Sequence, residues 1–125
     1  MINLPKKGDI VIADAEPHAG REMGGHDPKA NNIRRHYVIM SSTSYNQATH
    51  LFLGMPITTK DHSTDPQYMP ILINGSHGSG VKGYIALWQL QNFDFIARHG
   101  QIVNRIDQKM VEQLQRYVDD MIAND

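Results

Sequence analysis

The chain has 125 residues, of which 40% are hydrophobic and 20% charged, with a formal net charge of −1. That composition suits one globular domain over 1–125 with a modest core, and excludes a wholly disordered chain and attraction to any partner by bulk charge. No cysteine is present, which rules out disulfides and Cys-ligated zinc; no apolar run is long enough for a membrane span, and "MINLPKKGDI" lacks the apolar middle of a signal peptide, so a soluble cytoplasmic protein with no membrane partner is expected.

In chain order, "GDIVIAD" (8–14), β-branched and opened by Gly8, predicts a first strand. Residues 15–34 hold Pro17, Gly20, Gly24, Gly25, Pro28, Asn31 and Asn32 and show no periodicity, which predicts a long loop of the kind that carries function. "RHYVIMSSTS" (35–44) and "ATHLFLGMPIT" (48–58) predict two strands joined as a hairpin across "YNQ", with Pro56 putting the end of the second at an edge or a bulge. After the polar "KDHSTDP", strands follow at "QYMPILIN" (67–74), "GYIALWQLQ" (83–91) and "GQIVNRI" (100–106).

From Asp107, a good N-cap, the period changes. Met110, Val111, Leu114, Val118, Met121 and Ile122 recur at helical spacing, giving a helix with one apolar face that must lie against the sheet or a partner. The expected fold is mainly β, with five or six short antiparallel strands bent into a half-open barrel and a C-terminal helix. Charge is uneven along it. Residues 21–37 carry four basic and two acidic side chains, and residues 107–125 two basic and five acidic, so a polyanion is drawn to the loop and repelled by the C-terminus.

The ordered set "GDIVIAD", "EPHAGREMGGH", "RHYVIMSS" followed by "YN", "MPITT", "GYIALWQLQ" and a terminal helix resembles the MazF/PemK/Kid family, the toxin halves of bacterial toxin–antitoxin pairs. The resemblance implies an SH3-like barrel of the Kid/MazF/CcdB type, a homodimer, and a ribonuclease that cuts single-stranded RNA without metal or cofactor. It also implies a cognate antitoxin whose tail lies in the RNA-binding grooves. The family's catalytic arginine matches Arg35 ahead of "HYVIM", its catalytic threonine Thr58 in "PITT", and its loop glutamate Glu22 in "GREMGG". Three departures stand out. Arg35 is followed by His36 where the family has proline; "DPKANNIR" lengthens the loop, leaving Arg34 and Arg35 both open as the counterpart; and Trp88 precedes Gln89 where Kid-like members have an aspartate.

RNA cleaves when the ribose 2′-hydroxyl attacks the adjacent phosphorus and expels the 5′-oxygen. The reaction needs proton transfer and positive charge or donors at the phosphoryl oxygens. Arg35 offers a planar fork to two oxygens, and Thr58 a hydroxyl donor. For proton transfer the candidates are Glu22, His26 and His36, with the base open between Glu22 and His26. Contacts to RNA are expected from Arg34, His36, Ser41, Asn46, Thr59, Lys82, Trp88 and Gln89, with Trp88 a platform for base stacking.

Plainer readings stand beside these. Arg35 also fits an edge-strand arginine that blunts aggregation, Thr58 a β-former at a strand end, and His26 a solvated loop residue. Trp88 and Tyr84, four apart on one predicted strand, also fit a core pair. Histidines 18, 50, 62, 77 and 99 are scattered, with no i, i+4 pair and no acid–histidine spacing, so no metal site is expected. Two other functions fit the same fold: a toxin-like module that binds without cleaving, and a gyrase poison acting through the C-terminal helix.

Overall fold

A computed structural model describes residues 3–25, 34–75 and 78–123. Its elements are β1 (Asp9–Asp14), β2 (Arg34–Ile39), α1 (Thr43–Thr49), β3 (Leu51–Thr58), β4 (Tyr68–Ile73), β5 (Val81–Ala86), β6 (Gln91–Asp94), β7 (Gln101–Arg105) and α2 (Gln108–Ile122). The strands form one antiparallel sheet in the order β4-β5-β3-β2-β1-β7, with β6 also pairing β3. It curls into a half-barrel closed by α2.

Period-2 alternation sorts the side chains onto two faces, and both carry apolar cores. The inner face gathers Ile10, Val38, Met55, Ile57 and Ile85 with Val111, Leu114 and Val118 of α2. Burying each of those three helix residues is worth about 1.5–3 kcal/mol, more than enough to dock the helix. Asp107 caps it as expected, accepting from the Met110 amide. The outer face gathers Leu4, Val11, Tyr37, Ile39, Phe52 and Phe95. Gly8 joins the layers. Its φ of +92° needs glycine, its N–H donates to Ile39 O, and its C=O accepts from Ile106 N.

Three sequence expectations are corrected. The hairpin at "YNQ" is instead helix α1, because the Ser42 hydroxyl caps it by accepting from Tyr45 N and Asn46, fully buried, donates to the Pro5 carbonyl. The strand expected over 83–91 ends at Ala86; the chain turns through 87–90 and returns as β6, giving seven strands among the described residues. Pro56 lies in the central strand β3, opposite Tyr37, and not at an edge. The Leu53 and Ile57 carbonyls face β2, so alternation turns the Pro56 nitrogen to the other side. There β6 pairing has ended at Gly54 and β5 pairing has not begun before Ile57, so no N–H is needed.

Candidate active site

The β2–β3 ladder pairs His36 with Ile57, so the next residues out, Arg35 and Thr58, stand opposite each other. Across the next strands Thr58 pairs Tyr84, and Tyr84 pairs Pro70. Opposite residues of an antiparallel pair project to the same face. Arg35, Thr58 and Tyr84 thus form one row on the outer face, away from α2.

Arg35 is 8% exposed. Its Nε donates to Gly24 O at 2.7 Å and its Nη1 to Ile57 O at 3.0 Å, which fixes the guanidinium at that end of the row. Among the described residues no carboxylate forms an ion pair with it. Burial lowers the guanidinium's pKa from its ordinary value, the Tyr37, Glu16 and Tyr68 side chains opposing; an arginine nonetheless keeps its charge. A buried cation held by two neutral carbonyls is a ready partner for an anion. Thr58 is half-buried, and its Oγ1 accepts from Lys60 N at 3.2 Å, leaving the hydroxyl hydrogen available.

Beyond Thr58 the face becomes aromatic. His62 stacks on Tyr68 at 3.7 Å and 5°, with Tyr84 edge-on to His62 at 6.1 Å and Trp88 edge-on to Tyr68 at 6.4 Å. Hydrogen bonding to Asp61 raises the pKa of the Tyr84 phenol. A groove of about 470 Å³ runs along this face between Thr59, Pro70, Leu72, Lys82 and Tyr84.

The loop after β1 closes the other end of the row. Glu16 accepts from Gly25 N at 2.9 Å through Oε1, and its Oε2 meets His18 Nδ1 at 2.6 Å. Gly24 lies against both: a Cβ there would overlap His18 Nδ1 and Glu16 Oε1, so any larger residue would have to displace that pair. The Gln89 amide staples the same loop, donating to Arg21 O at 2.6 Å and accepting from Met23 N at 3.1 Å, while Gln91 donates to Met23 O at 3.1 Å.

Of the expected site residues, Arg35 and Thr58 come together, and Thr59 and Lys82 line the adjoining groove. Trp88 is 40% exposed, in the turn between β5 and β6 and not on a strand with Tyr84. Glu22 accepts from Ala19 N and opens, with Trp88, a second groove of about 560 Å³. Arg34 projects to the opposite face from Arg35 and binds Asp14 at 2.7 Å and His99 O at 2.8 Å. His36 shares that face; burial first, then the Arg34 charge, lowers its pKa.

Three residues expected to contact RNA are instead engaged within the protein. Ser41 and Asn46 are buried and bonded to each other, with Ser41 also accepting from Leu53 N. They lie past the far end of β2, roughly 20 Å from Arg35 at about 3.3 Å per residue. Gln89 is 7% exposed with its amide engaged by the loop. His26 lies outside the described residues. The Glu16–His18 pair and the His62–Tyr68 stack were not anticipated. The expectation that these histidines have no acid–histidine spacing is thereby corrected: Glu16 stands two residues before His18 at the head of the glycine-rich loop, which was the available signal for the first; nothing in the sequence marked the second.

Among the described residues no three histidine, aspartate or glutamate side chains converge as a metal site, and no helix is long and apolar enough to cross a membrane. A family model described as PemK-like, MazF-like toxin of type II toxin-antitoxin systems matches residues 6–122. No curated protein sequence matches. Among solved structures, a crystal form of MazF from Deinococcus radiodurans aligns with a TM-score of 0.76 at 21% identity, over 97% of this chain and 98% of that one. A chain from MazE–MazF crystals of the same organism aligns at 0.70 and 14%, over 99% and 100%. At such identities these structures speak to the fold alone.

Proposed function

Because the chain belongs to the PemK-like, MazF-like toxin family of type II toxin–antitoxin systems, we propose that it is a metal-independent endoribonuclease acting on single-stranded RNA in the cytoplasm as a homodimer. The observation that carries this reading is the Arg35–Thr58 row, a buried cation with no ion pair among the described residues beside a hydroxyl whose oxygen accepts from Lys60 N.

In the proposed reaction a phosphodiester lies across β2 and β3. The Arg35 fork meets the non-bridging oxygens, whose negative charge grows as the 2′-oxygen attacks, and Thr58 donates at the same centre. One preorganised donor of this kind typically contributes about 10²–10³-fold. Flanking nucleotides run along the groove toward Lys82 and the aromatic group, where Trp88 presents an exposed indole for stacking. A cognate antitoxin covers the same outer face and blocks it; that MazF from D. radiodurans crystallises with MazE supports a partner of this kind.

The test is incubation of the purified protein with a long single-stranded RNA in EDTA. The expected result is discrete fragments with 5′-hydroxyl and cyclic-phosphate ends. RNA left intact under every condition would overturn the reading.

A further inference from the structure

We propose that His18, held by Glu16, is the general base that takes the proton from the attacking 2′-hydroxyl; this inference rests on the ribonuclease reading above. The pair is built into the corner that holds Arg35. The His18 ring lies against Gly24, and the Gly24 carbonyl accepts from Arg35 Nε. Glu16 binds the Gly25 amide with one carboxylate oxygen and the ring with the other, so a single carboxylate sets both the loop backbone and the imidazole. Ring and guanidinium are separated by one glycine, so one can address the 2′-oxygen while the other holds the phosphate under attack.

The tautomer follows from the contact. The His18 hydrogen bond is the largest influence lowering the Glu16 pKa, which keeps that carboxyl ionised at neutral pH. An ionised carboxylate only accepts, so at 2.6 Å the hydrogen belongs to Nδ1 of the imidazole. In the neutral ring this tautomer puts the lone pair on Nε2, on a side chain 38% exposed and with no protein partner for Nε2 among the described residues. A nucleophile's base oriented by a third group is the arrangement that makes such proton transfer efficient. The earlier candidate Glu22 is placed less well: it accepts from Ala19 N and faces the Trp88 groove.

In the step, the O2′–P bond forms as P–O5′ breaks. The O2′ proton passes to Nε2, giving an imidazolium neutralised by Glu16, and the departing O5′ takes a proton from water. His18 is a catalytic residue in this scheme, and Glu16 a positioning residue.

The experiment first maps a cleavage site on a long transcript and remakes it as a short oligonucleotide, with a 2′-deoxy version for affinity. Single-turnover cleavage by His18→Gln and His18→Ala should fall about 10²–10³-fold, with affinity for the 2′-deoxy strand within about threefold, and added imidazole should restore part of the His18→Ala rate. Glu16→Gln should lower the rate about tenfold without changing that affinity. On a strand whose 5′-leaving oxygen is replaced by sulfur, which departs without acid help, the His18→Gln defect should persist. If it vanishes, the ring acts as an acid and the role assigned here is wrong. If His18→Gln cleaves within about threefold of the wild type while Arg35→Lys is inactive, His18 has no part in the chemistry and the ribonuclease reading survives. If the wild type cuts no RNA, both fall.

Discussion

Arg34 and Arg35, neighbours in sequence, leave β2 on opposite faces and do opposite work. Arg34 binds the Asp14 carboxylate and the His99 carbonyl, whereas Arg35 is held by two carbonyls and, among the described residues, forms no ion pair. Arg34→Ala should therefore cost stability and spare cleavage. Charged hydrogen bonds at a partly exposed pair are worth about 1 kcal/mol, so the melting midpoint should drop by roughly 3–6 °C, with cleavage within about threefold of wild type. Loss of cleavage without loss of stability would move the reactive arginine to position 34.

Arg35→Lys keeps the charge but not the fork, and should lower cleavage by at least about 10²-fold. Lysine is the better probe, because alanine would also leave the Gly24 and Ile57 carbonyls without donors, at about 1–3 kcal/mol. Thr58→Val removes the hydroxyl at nearly constant shape and should lower cleavage about as far. Both effects are read by single-turnover assay beside thermal melts, which should move by only a few degrees for Thr58→Val.

Asp14 supplies a pH test. The His99 hydrogen bond is the largest influence holding its pKa below 3.8, with Arg34 adding to it against a desolvation penalty. A depressed carboxyl stabilises the fold above the unfolded value, and that contribution is lost as pH falls through the lower folded value. Asp14→Asn should be less stable than wild type at neutral pH, and the gap should close as pH drops below about 4. Denaturant melts of the two proteins across that range measure it. A gap that widens on acidification reverses the sign and removes the Asp14 interactions from the stability of the β1–β2 ladder.

Trp88 tests the path of the RNA. The indole is 40% exposed and makes one edge-on contact with Tyr68, so little core packing is lost on its removal. Base stacking on an aromatic is worth about 1–3 kcal/mol, so Trp88→Ala should weaken binding of an uncleavable strand roughly 5- to 150-fold while Trp88→Phe keeps most of it. Unchanged affinity for Trp88→Ala would send the strand elsewhere.

The strands and α2 were legible in the sequence because each is long enough to show its period: β-branched alternation in "GDIVIAD" and "RHYVI", and the Val111–Leu114–Val118 stripe behind Asp107. Helix α1 was not. "TSYNQAT" is short and poor in helix formers, and it is held by the Ser42 cap and by Asn46 reaching the Pro5 carbonyl, a contact 41 residues away. The turn at 87–90 contains no glycine or proline, so β5 and β6 read as one strand. In the site, the nearness of Arg35 to Thr58 depends on the register of β2 against β3, which sequence alone leaves open to a one-residue slip. The Glu16–His18 pair needed the loop folded back on Gly24 before its geometry existed.

Gln89 tests whether the loop is set from a distance. Its amide binds Arg21 O and Met23 N, and Gln91 adds Met23 O, so two glutamines beside the β5–β6 turn hold the segment that brings the Gly24 carbonyl to Arg35 Nε. Gln89→Ala removes both bonds of one staple and leaves part-buried backbone groups unpaired, at about 1–3 kcal/mol. That energy falls on the loop and not on the sheet, whose ladders are untouched, so opening should be local. Trypsin cleavage after Arg21 should accelerate, with a global melting midpoint only slightly lower. RNA cleavage should fall although Gln89 touches no reacting atom, because Arg35 loses the carbonyl that aims it. Combined with Arg35→Lys, the Gln89→Ala loss of cleavage should largely disappear, since the guanidinium through which it acts is already gone. Additive losses in that double variant would mean that Gln89 acts on the substrate directly.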